Sequence, residues 1–354
     1  MMKKLIIILS ILTAFNGMAR GDDPNSSGEF IRAADLSSLP EIEKAGTIFF
    51  NRRGRPENPL VTLKNSGMNT VRLRVWKNPE GGHCGFEEVR RLSRKIHGMG
   101  LRVWLDIHYS DTWADPSRQL TPAGWKGLSF EALKDSVHSY TGMLVSAINP
   151  ELVQIGNEIN NGFLFPYGRI RGNFSRFREL LSAGSGAVRD NSSDTAIIIH
   201  YAGLDGSERF FELVSGVDYD IIGISYYPRW HGKDLGRLDS VLARLSGRYQ
   251  KDIVIAETAY PFTLEWNDRT HNIVGLKEQL ILPGYPATPR GQKAFLEMIV
   301  RIVDSVERGA GFCYWGGELV AYRGAESRDG SPWENQALYD FRGMALPVVE
   351  AFNK

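Results

Sequence analysis

The sequence has few cysteines and almost no net charge. Two cysteines in 354 residues exclude a disulfide-stapled scaffold and a cysteine-rich metal site, and we expect Cys84 and Cys313 to be free thiols. The 42 lysines and arginines nearly balance 41 aspartates and glutamates, so no global positive field is available to bind nucleic acid. Long apolar runs are also missing after the N-terminus, which argues against a transmembrane segment.

The N-terminus has the pattern of a secretory signal peptide. Lys3 and Lys4 precede an apolar run that begins at Leu5, and the small residues Gly17 and Ala19 follow that run. We predict a signal peptide over 1–19, a polar linker over 20–29 and a single domain over 30–354. The protein is then exported, either to the periplasm or out of the cell. A short buried N-terminal helix is the alternative interpretation.

Short runs rich in valine and isoleucine alternate with longer segments of helical spacing. Such alternation predicts parallel strands joined by crossover helices, and eight units predict an α/β fold of the (β/α)8 TIM-barrel type. An open doubly wound sheet is the alternative, but the chain has no G-x-G-x-x-G or P-loop motif. The predicted strands are Ile31–Asp35, Thr70–Trp76, Leu101–His108, Leu152–Asn157, Ala196–Tyr201, Ile221–Ser225, Ile253–Glu257 and Gly311–Trp315. The predicted helices are Phe86–Met99, Phe130–Ile148, Phe174–Val188, Arg209–Ser215, Leu235–Tyr249 and Gln292–Glu307.

Two glutamates stand directly at the ends of predicted strands. Glu158 ends the fourth strand and Glu257 ends the seventh, and the C-terminal ends of barrel strands are where such folds carry their chemistry. Strands four and seven lie on opposite sides of an eight-stranded ring, so the two carboxyl groups can converge. Paired carboxyl groups of this kind hydrolyse glycosidic bonds, one as the proton donor and the other as the nucleophile. The alternative is that the glutamates form structural ion pairs with rim arginines.

Several motifs, in order along the chain from residue 31 to its end, resemble glycoside hydrolase family 53. The most specific is the string HYSDTWADP at His108–Pro116. The resemblance implies a retaining (β/α)8 arabinogalactan endo-β-1,4-galactanase whose partner is the polysaccharide, and we expect a monomer that does not bind nucleic acid. The other matching segments are Ala34–Leu39, Leu73–Trp76, Gln154–Ile159, Tyr226–Pro228, Trp230–Gly232, Glu257–Pro261 and Trp333–Leu338.

The resemblance also implies a role for each matching residue. Glu158 would be the general acid/base, Glu257 the nucleophile, and Asn157 would bind the sugar 2-hydroxyl in subsite −1. Arg74 would keep Glu257 charged, and Tyr226 would donate a hydrogen bond to it. The other expected substrate-binding residues are His108, Asp111, Trp113, Trp315 as the floor of subsite −1, Trp76 and Trp230. For Trp76 and Trp230 packing under loops is an equal alternative, the role of His231 stays open, and His200 is expected to be structural.

Calcium sites occur in many bacterial members of that family, in the loop after the seventh strand. Here Asp268 and Asn272 remain, but Trp266 and Thr270 stand where ligands are expected. Calcium takes six to eight oxygen ligands, so we predict no metal and no cofactor.

Three other functions are possible for such a chain. The first is another retaining endo-glycanase, such as a mannanase or an endoglucanase, and the second is a non-catalytic glycan-binding barrel. The third is a metal-dependent hydrolase, which is disfavoured because the seven histidines include no H-x-H pair.

Overall fold

Eight parallel strands close into a barrel in the computed structural model, which describes residues 28–353. Each strand pairs with the next in sequence, and the last strand pairs with the first. The predicted TIM barrel is therefore confirmed, whereas the predicted signal peptide and nearly all of the linker lie outside the described residues. The strands are β1 (Ile31–Asp35), β2 (Thr70–Val75), β3 (Arg102–Ile107), β4 (Leu152–Ile155), β5 (Ala196–Ala202), β6 (Ile221–Ser225), β7 (Asp252–Thr258) and β8 (Gly309–Tyr314).

Helices cover the outside of the barrel, and their first turns show why they begin where they do. The side chains of Ser129, Asp234 and Thr288 each accept a hydrogen bond from a backbone N–H of the first turn, which satisfies a donor that lacks a helical partner. The helices are α1 (Leu39–Lys44), α2 (Pro59–Asn65), α3 (Phe86–Gly98), α4 (Phe130–Ile148), α5 (Ile170–Asn191), α6 (Ser207–Leu213), α7 (Pro228–His231), α8 (Leu235–Tyr249) and α9 (Pro289–Ser305). None of the helices within residues 28–353 has the length and apolar character needed to cross a bilayer.

Two predicted helices match to the residue, and three short helices were not predicted. The bounds of α4 and α8 agree with the prediction, and α5 becomes regular only at Phe174, because Gly172 has a φ of 90°. The short helices α1, α2 and α7 were not predicted. They span only 6, 7 and 4 residues, which is too short for a hydrophobic period to stand out.

The inside of the barrel has an apolar layer below a polar one. The apolar layer includes Trp104, Ile198 and Cys313, all fully buried. Two residues further along β3 and β5 stand Asp106 and His200, which are also fully buried. Because side chains alternate along a strand, both layers face inward, and the polar layer lies nearer the C-terminal ends. Polar groups are thus held on rigid backbone near the C-terminal ends of the barrel strands.

Candidate active site

The polar layer is organised around the guanidinium of Arg72. This side chain is 1% exposed, and it lies 2.9 Å from carboxylate oxygens of Asp35, Asp106 and Glu257. A buried charge is tolerated only when it is paired, and here one cation pairs with three carboxylates. Burial alone would raise the pKa of Asp106, but Arg72 and His108 outweigh that effect and hold the pKa below its usual range. Asp106 is therefore anionic and fixes Arg72 in place.

Both contacts that the sequence predicted for Glu257 are made by different residues. Arg72, not Arg74, pairs with Oε1 of Glu257 at 2.9 Å. The hydroxyl of Tyr227, not that of Tyr226, donates to Oε2 at 3.0 Å. Arg74 and Tyr226 make their hydrogen bonds elsewhere. The predicted kinds of contact, one cation and one phenol, are present, but the predicted donors were wrong.

Glu158 sits at a sharp turn directly after β4. Gly156 and Glu158 have φ values of 80° and 47°, in the left-handed region that is unusual for a glutamate. Oε1 of Glu158 accepts a hydrogen bond from Ser225 Oγ at 2.7 Å, and the Ser225 hydroxyl lies 2.8 Å from Nε2 of His200. The side-chain N–H of Gln154 points at Nδ1 of His200, so we assign the proton of this ring to Nε2. A chain of hydrogen bonds therefore leads from His200 to the carboxyl group of Glu158.

The two glutamates are close enough to share their electrostatics. A carboxylate oxygen of Glu158 lies within 4.8 Å of one of Glu257. Burial raises the pKa of both groups, and the negative charge of Glu158 raises that of Glu257 further, while Arg72 opposes the shift. In the described part of the chain Glu257 has an ion pair and Glu158 has none. When the pair holds one proton, that proton therefore belongs on Glu158, and Glu257 is the anion.

A cavity of about 590 Å³ opens above the carboxyl groups. A row of indole rings forms one wall: the centroids of Trp76 and Trp113 are 5.4 Å apart, and those of Trp113 and Trp315 are 6.0 Å apart. Trp333 extends the row, 4.5 Å from Trp315. Flat aromatic faces beside convergent polar groups are typical of a ligand-binding cleft. Of the predicted site residues, those lining this cavity are Arg74, Trp76, His108, Trp113, Asn157, Glu158, Glu257 and Trp315.

Comparison with known proteins agrees with this geometry. The sequence profile described as glycosyl hydrolase family 53 matches residues 31–352. The chain belongs to glycosyl hydrolase family 53. The family-53 chain is 39% identical to an uncharacterized protein in the bgaB 5' region of Niallia circulans, over 91% of this chain and 93% of the other. It is 32% identical to the arabinogalactan endo-beta-1,4-galactanase of Cellvibrio japonicus, over 99% and 97% of the two chains.

A solved structure of the same family has the same fold. The family-53 catalytic domain of Ignisphaera aggregans superposes with a TM-score of 0.86 at 37% sequence identity. The match covers 91% of this chain and 95% of that domain. The protein is therefore a family-53 glycoside hydrolase with a single-domain TIM barrel.

Three predicted site residues do not line the cavity of this family-53 enzyme. Asp111 accepts hydrogen bonds from two backbone N–H groups of neighbouring loops, so it ties those loops together. Tyr226 points its hydroxyl at the carbonyl oxygen of Gly232. Trp230 is half exposed and packs against Trp333, beyond the cavity wall.

Sequence reasoning also missed several residues of the site. Arg72 stands in the middle of an apolar strand, and a charge at such a position was a usable signal. Ser225 and Tyr227 stand at the end of β6, where the resemblance implied a role for Tyr226 instead. Trp333 lies in one of the segments that resemble family 53, but the resemblance implied no role for it. His200 was expected to be structural, and the structure places it two hydrogen bonds from Glu158.

Two groups of side chains in the described part of the chain have the types that bind metals. Glu158, His200 and Glu257 form the first, but both ring nitrogens of His200 are already engaged in hydrogen bonds. His83, Cys84 and Glu88 form the second, and Glu88 lies 2.8 Å from Nδ1 of His83. That contact is an ion pair, so each group already uses at least one of its ligand atoms in another contact.

The loop after β7 does not fit a calcium ion. Oδ1 of Asp268 accepts a hydrogen bond from the backbone N–H of Thr270 at 2.6 Å. Two oxygens, Oδ2 of Asp268 and Oδ1 of Asn272, are buried without a partner. Trp266 packs on His271 instead of supplying a ligand. Two free oxygens fall well short of the six to eight that calcium takes, and the absence of calcium stays a prediction.

Proposed function

We propose that this family-53 enzyme is an endo-acting β-1,4-galactanase that cleaves galactan and arabinogalactan with retention of anomeric configuration. The observation that carries the proposal is the approach of Glu158 and Glu257, whose carboxylate oxygens lie within 4.8 Å. Retaining enzymes separate these groups by about 5–5.5 Å, whereas inverting enzymes need about 6.5–9.5 Å to admit a water molecule. The short separation favours direct attack on the sugar by a carboxylate.

The surroundings of each glutamate suit its proposed role. Arg72 and Tyr227 hold Glu257 as an oriented anion, ready to attack the anomeric carbon and form a glycosyl-enzyme. Glu158 carries the proton and gives it to the departing glycosidic oxygen. In the second step Glu158 accepts a proton from water, which attacks the same carbon and releases Glu257. Arg72 donates a hydrogen bond to Oδ1 of Asn157 at 2.9 Å. This bond holds Asn157 next to Glu158, where its side chain can bind a sugar hydroxyl.

We also propose that galactan is the substrate and that the protein is exported from the cell. The galactanase name of the relative from Cellvibrio japonicus supports galactan as the substrate. The N-terminal pattern of Lys3 and Lys4 before an apolar run supports export. A polysaccharide is too large to reach an enzyme inside a cell, so the two proposals support each other.

Release of reducing ends from linear β-1,4-galactan, cellulose, mannan and xylan tests the proposal. We expect cleavage of galactan alone, and loss of several orders of magnitude in turnover in the Glu257→Gln variant, which keeps the shape of the side chain but removes the nucleophile. Cleavage of a different polysaccharide would overturn the substrate assignment and keep the mechanism. Cleavage of none of the four would overturn the proposed activity.

A further inference from the structure

One side of the cavity is lined by a charged group of residues that the catalytic mechanism does not use. It consists of Glu41 on α1, His83 after β2, and Tyr322 and Arg323 after β8, and we term it the rim cluster. Glu41 Oε2 lies 3.5 Å from Nε2 of His83, and Glu41 Oε1 lies 3.4 Å from Nη2 of Arg323. A single carboxylate on α1 thus contacts side chains from the segments that follow β2 and β8.

The rim cluster stands at the end of the row of indole rings. The row runs from Trp315 through Trp113 to Trp76, and the ring of Trp76 lies 6.3 Å from that of His83. A sugar chain that follows the aromatic wall away from the catalytic carboxylates therefore meets Glu41 and its partners. The row of indole rings ends at Trp76, and the side chains of the rim cluster line the cavity beyond it.

The proposed roles of the two glutamates indicate which part of the substrate lies on this side. Glu158 is held by Ser225 of β6, on the other side of the mouth from the rim cluster, and the leaving group departs past Glu158. The sugar attacked by Glu257 then lies on the side of Trp315. The non-reducing part of the chain continues along the indole row toward the rim cluster.

The two cations of the rim cluster also contact residues outside the cluster. Nδ1 of His83 lies 2.8 Å from Glu88, and Nη1 of Arg323 donates to the carbonyl oxygen of Asp329 at 3.0 Å. Burial lowers the pKa of His83, but its hydrogen bonds with Cys84 and Glu88 outweigh burial and raise it to about 9. The ring is therefore cationic at neutral pH. Glu41 lies between two cations, and a longer sugar chain would have to displace both ion pairs.

We propose that the rim cluster narrows the non-reducing end of the substrate groove, so that a bound chain gains no further contacts beyond it, and that the cluster thereby limits the length of the oligosaccharides that accumulate during digestion. The proposal rests on the proposed endo-galactanase activity and names the residues that set its product length. Glu41 and Arg323 are 36% and 42% exposed in their side chains, so they can contact the hydroxyl groups of the last bound sugar. The carboxylate of Glu41 holds the barrier together, because both ion pairs depend on it.

The test is the product length of a double variant, Glu41→Ala with Arg323→Ala. A matched control removes another exposed ion pair, Glu208 with Arg244, which joins α6 to α8 at 2.9 Å and does not line the cavity. Linear galactan is digested to completion, and the final products are sized by chromatography and mass spectrometry. We expect the rim variant to release products longer than the wild type by at least one sugar unit, and the control variant to match the wild type.

Two results would overturn the inference, and they are distinguishable. Unchanged product lengths in a folded rim variant, with an active wild-type enzyme, would overturn the role of the rim cluster alone. A wild-type protein that cleaves none of the four polysaccharides would overturn the proposed function and this inference together. Melting curves of all variants verify folding, and Glu41→Gln, which preserves side-chain shape, serves as a milder second variant with the same expected direction.

Discussion

Replacing Tyr227 with phenylalanine isolates one of the two contacts that hold Glu257 as an anion. The phenol donates to Oε2 of Glu257 at 3.0 Å, and both residues are buried, with 5% and 6% exposure. Burial raises the pKa of Tyr227 far above its usual range, so this hydroxyl keeps its proton at every pH at which the enzyme works. The substitution removes the donor and leaves the aromatic ring in place.

The size of the effect follows from the type of bond. A hydrogen bond to a charged group contributes about 1.5–3 kcal/mol. Since one pKa unit corresponds to about 1.4 kcal/mol, loss of this bond raises the pKa of Glu257 by about 1–2 units. Glu257 must be ionised to attack the sugar. The acidic limb of kcat/KM, which reports the free enzyme, therefore moves upward in pH by the same amount.

The assay is the pH profile of kcat/KM on soluble galactan for Tyr227→Phe and for Tyr226→Phe. Tyr226 is a matched control, because its hydroxyl donates to the carbonyl oxygen of Gly232, a group that does not titrate. We expect the acidic limb to shift in the Tyr227 variant only. An unshifted limb in that variant, or an equal shift in both variants, would refute the reasoning.

Three other predictions concern the partner carboxylate, the buried cation and the metal. Ser225→Ala removes a hydrogen bond that lowers the pKa of Glu158. The pKa of Glu158 therefore rises in this variant, and the basic limb of kcat/KM moves to higher pH, whereas a shift to lower pH would contradict the prediction. Arg72→Met leaves buried carboxylates without their cation, so we expect the free energy of unfolding to fall by about 3–5 kcal/mol in urea titrations. A decrease of less than about 1 kcal/mol would show that these ion pairs contribute little to stability. Excess calcium, compared with a chelator, leaves the melting temperature unchanged, and a rise of several degrees would count against our reading of the loop after β7.

The barrel and its two glutamates could be predicted because both depend on local patterns. Buried parallel strands are short continuous apolar runs, and all eight were placed within two residues of their observed ends. Glu158 and Glu257 each follow such a run directly. A charged residue at that position is visible in the sequence without knowledge of any long-range contact.

The partners of Glu257 could not be predicted, because they depend on strand register. In the pairing of β6 with β7, Ile224 lies opposite Ile255, but Ser225 lies opposite Glu257, so Ala256 is an extra residue. Such a bulge changes which side chains point inward, and alternation in the sequence does not reveal it. The neighbours Tyr226 and Tyr227 follow Ser225, the last paired residue of β6, so strand alternation does not decide which of them points at Glu257.

The choice of Arg74 over Arg72 failed for a different reason. Both side chains are buried on β2, and residues two apart in a strand face the same side. Their difference is depth: Arg72 lies two residues lower on β2, opposite Trp104, and its guanidinium contacts Asp106 and Gln154, whereas Arg74 lies opposite Asp106 and donates to Ser38. The sequence does not reveal which of the two depths places a guanidinium beside Glu257. The role of Asp111 depends likewise on how distant loops meet.

The most direct test of the mechanism is to trap the glycosyl-enzyme. The wild-type protein is incubated with a 2-fluoro galactoside that carries a good leaving group, then digested, and the modified peptide is sequenced by mass spectrometry. We predict one adduct, with the sugar attached to Glu257. An adduct on Glu158 would reverse the assignment of the two carboxylates, and an active enzyme that releases product of inverted anomeric configuration would contradict the double-displacement mechanism.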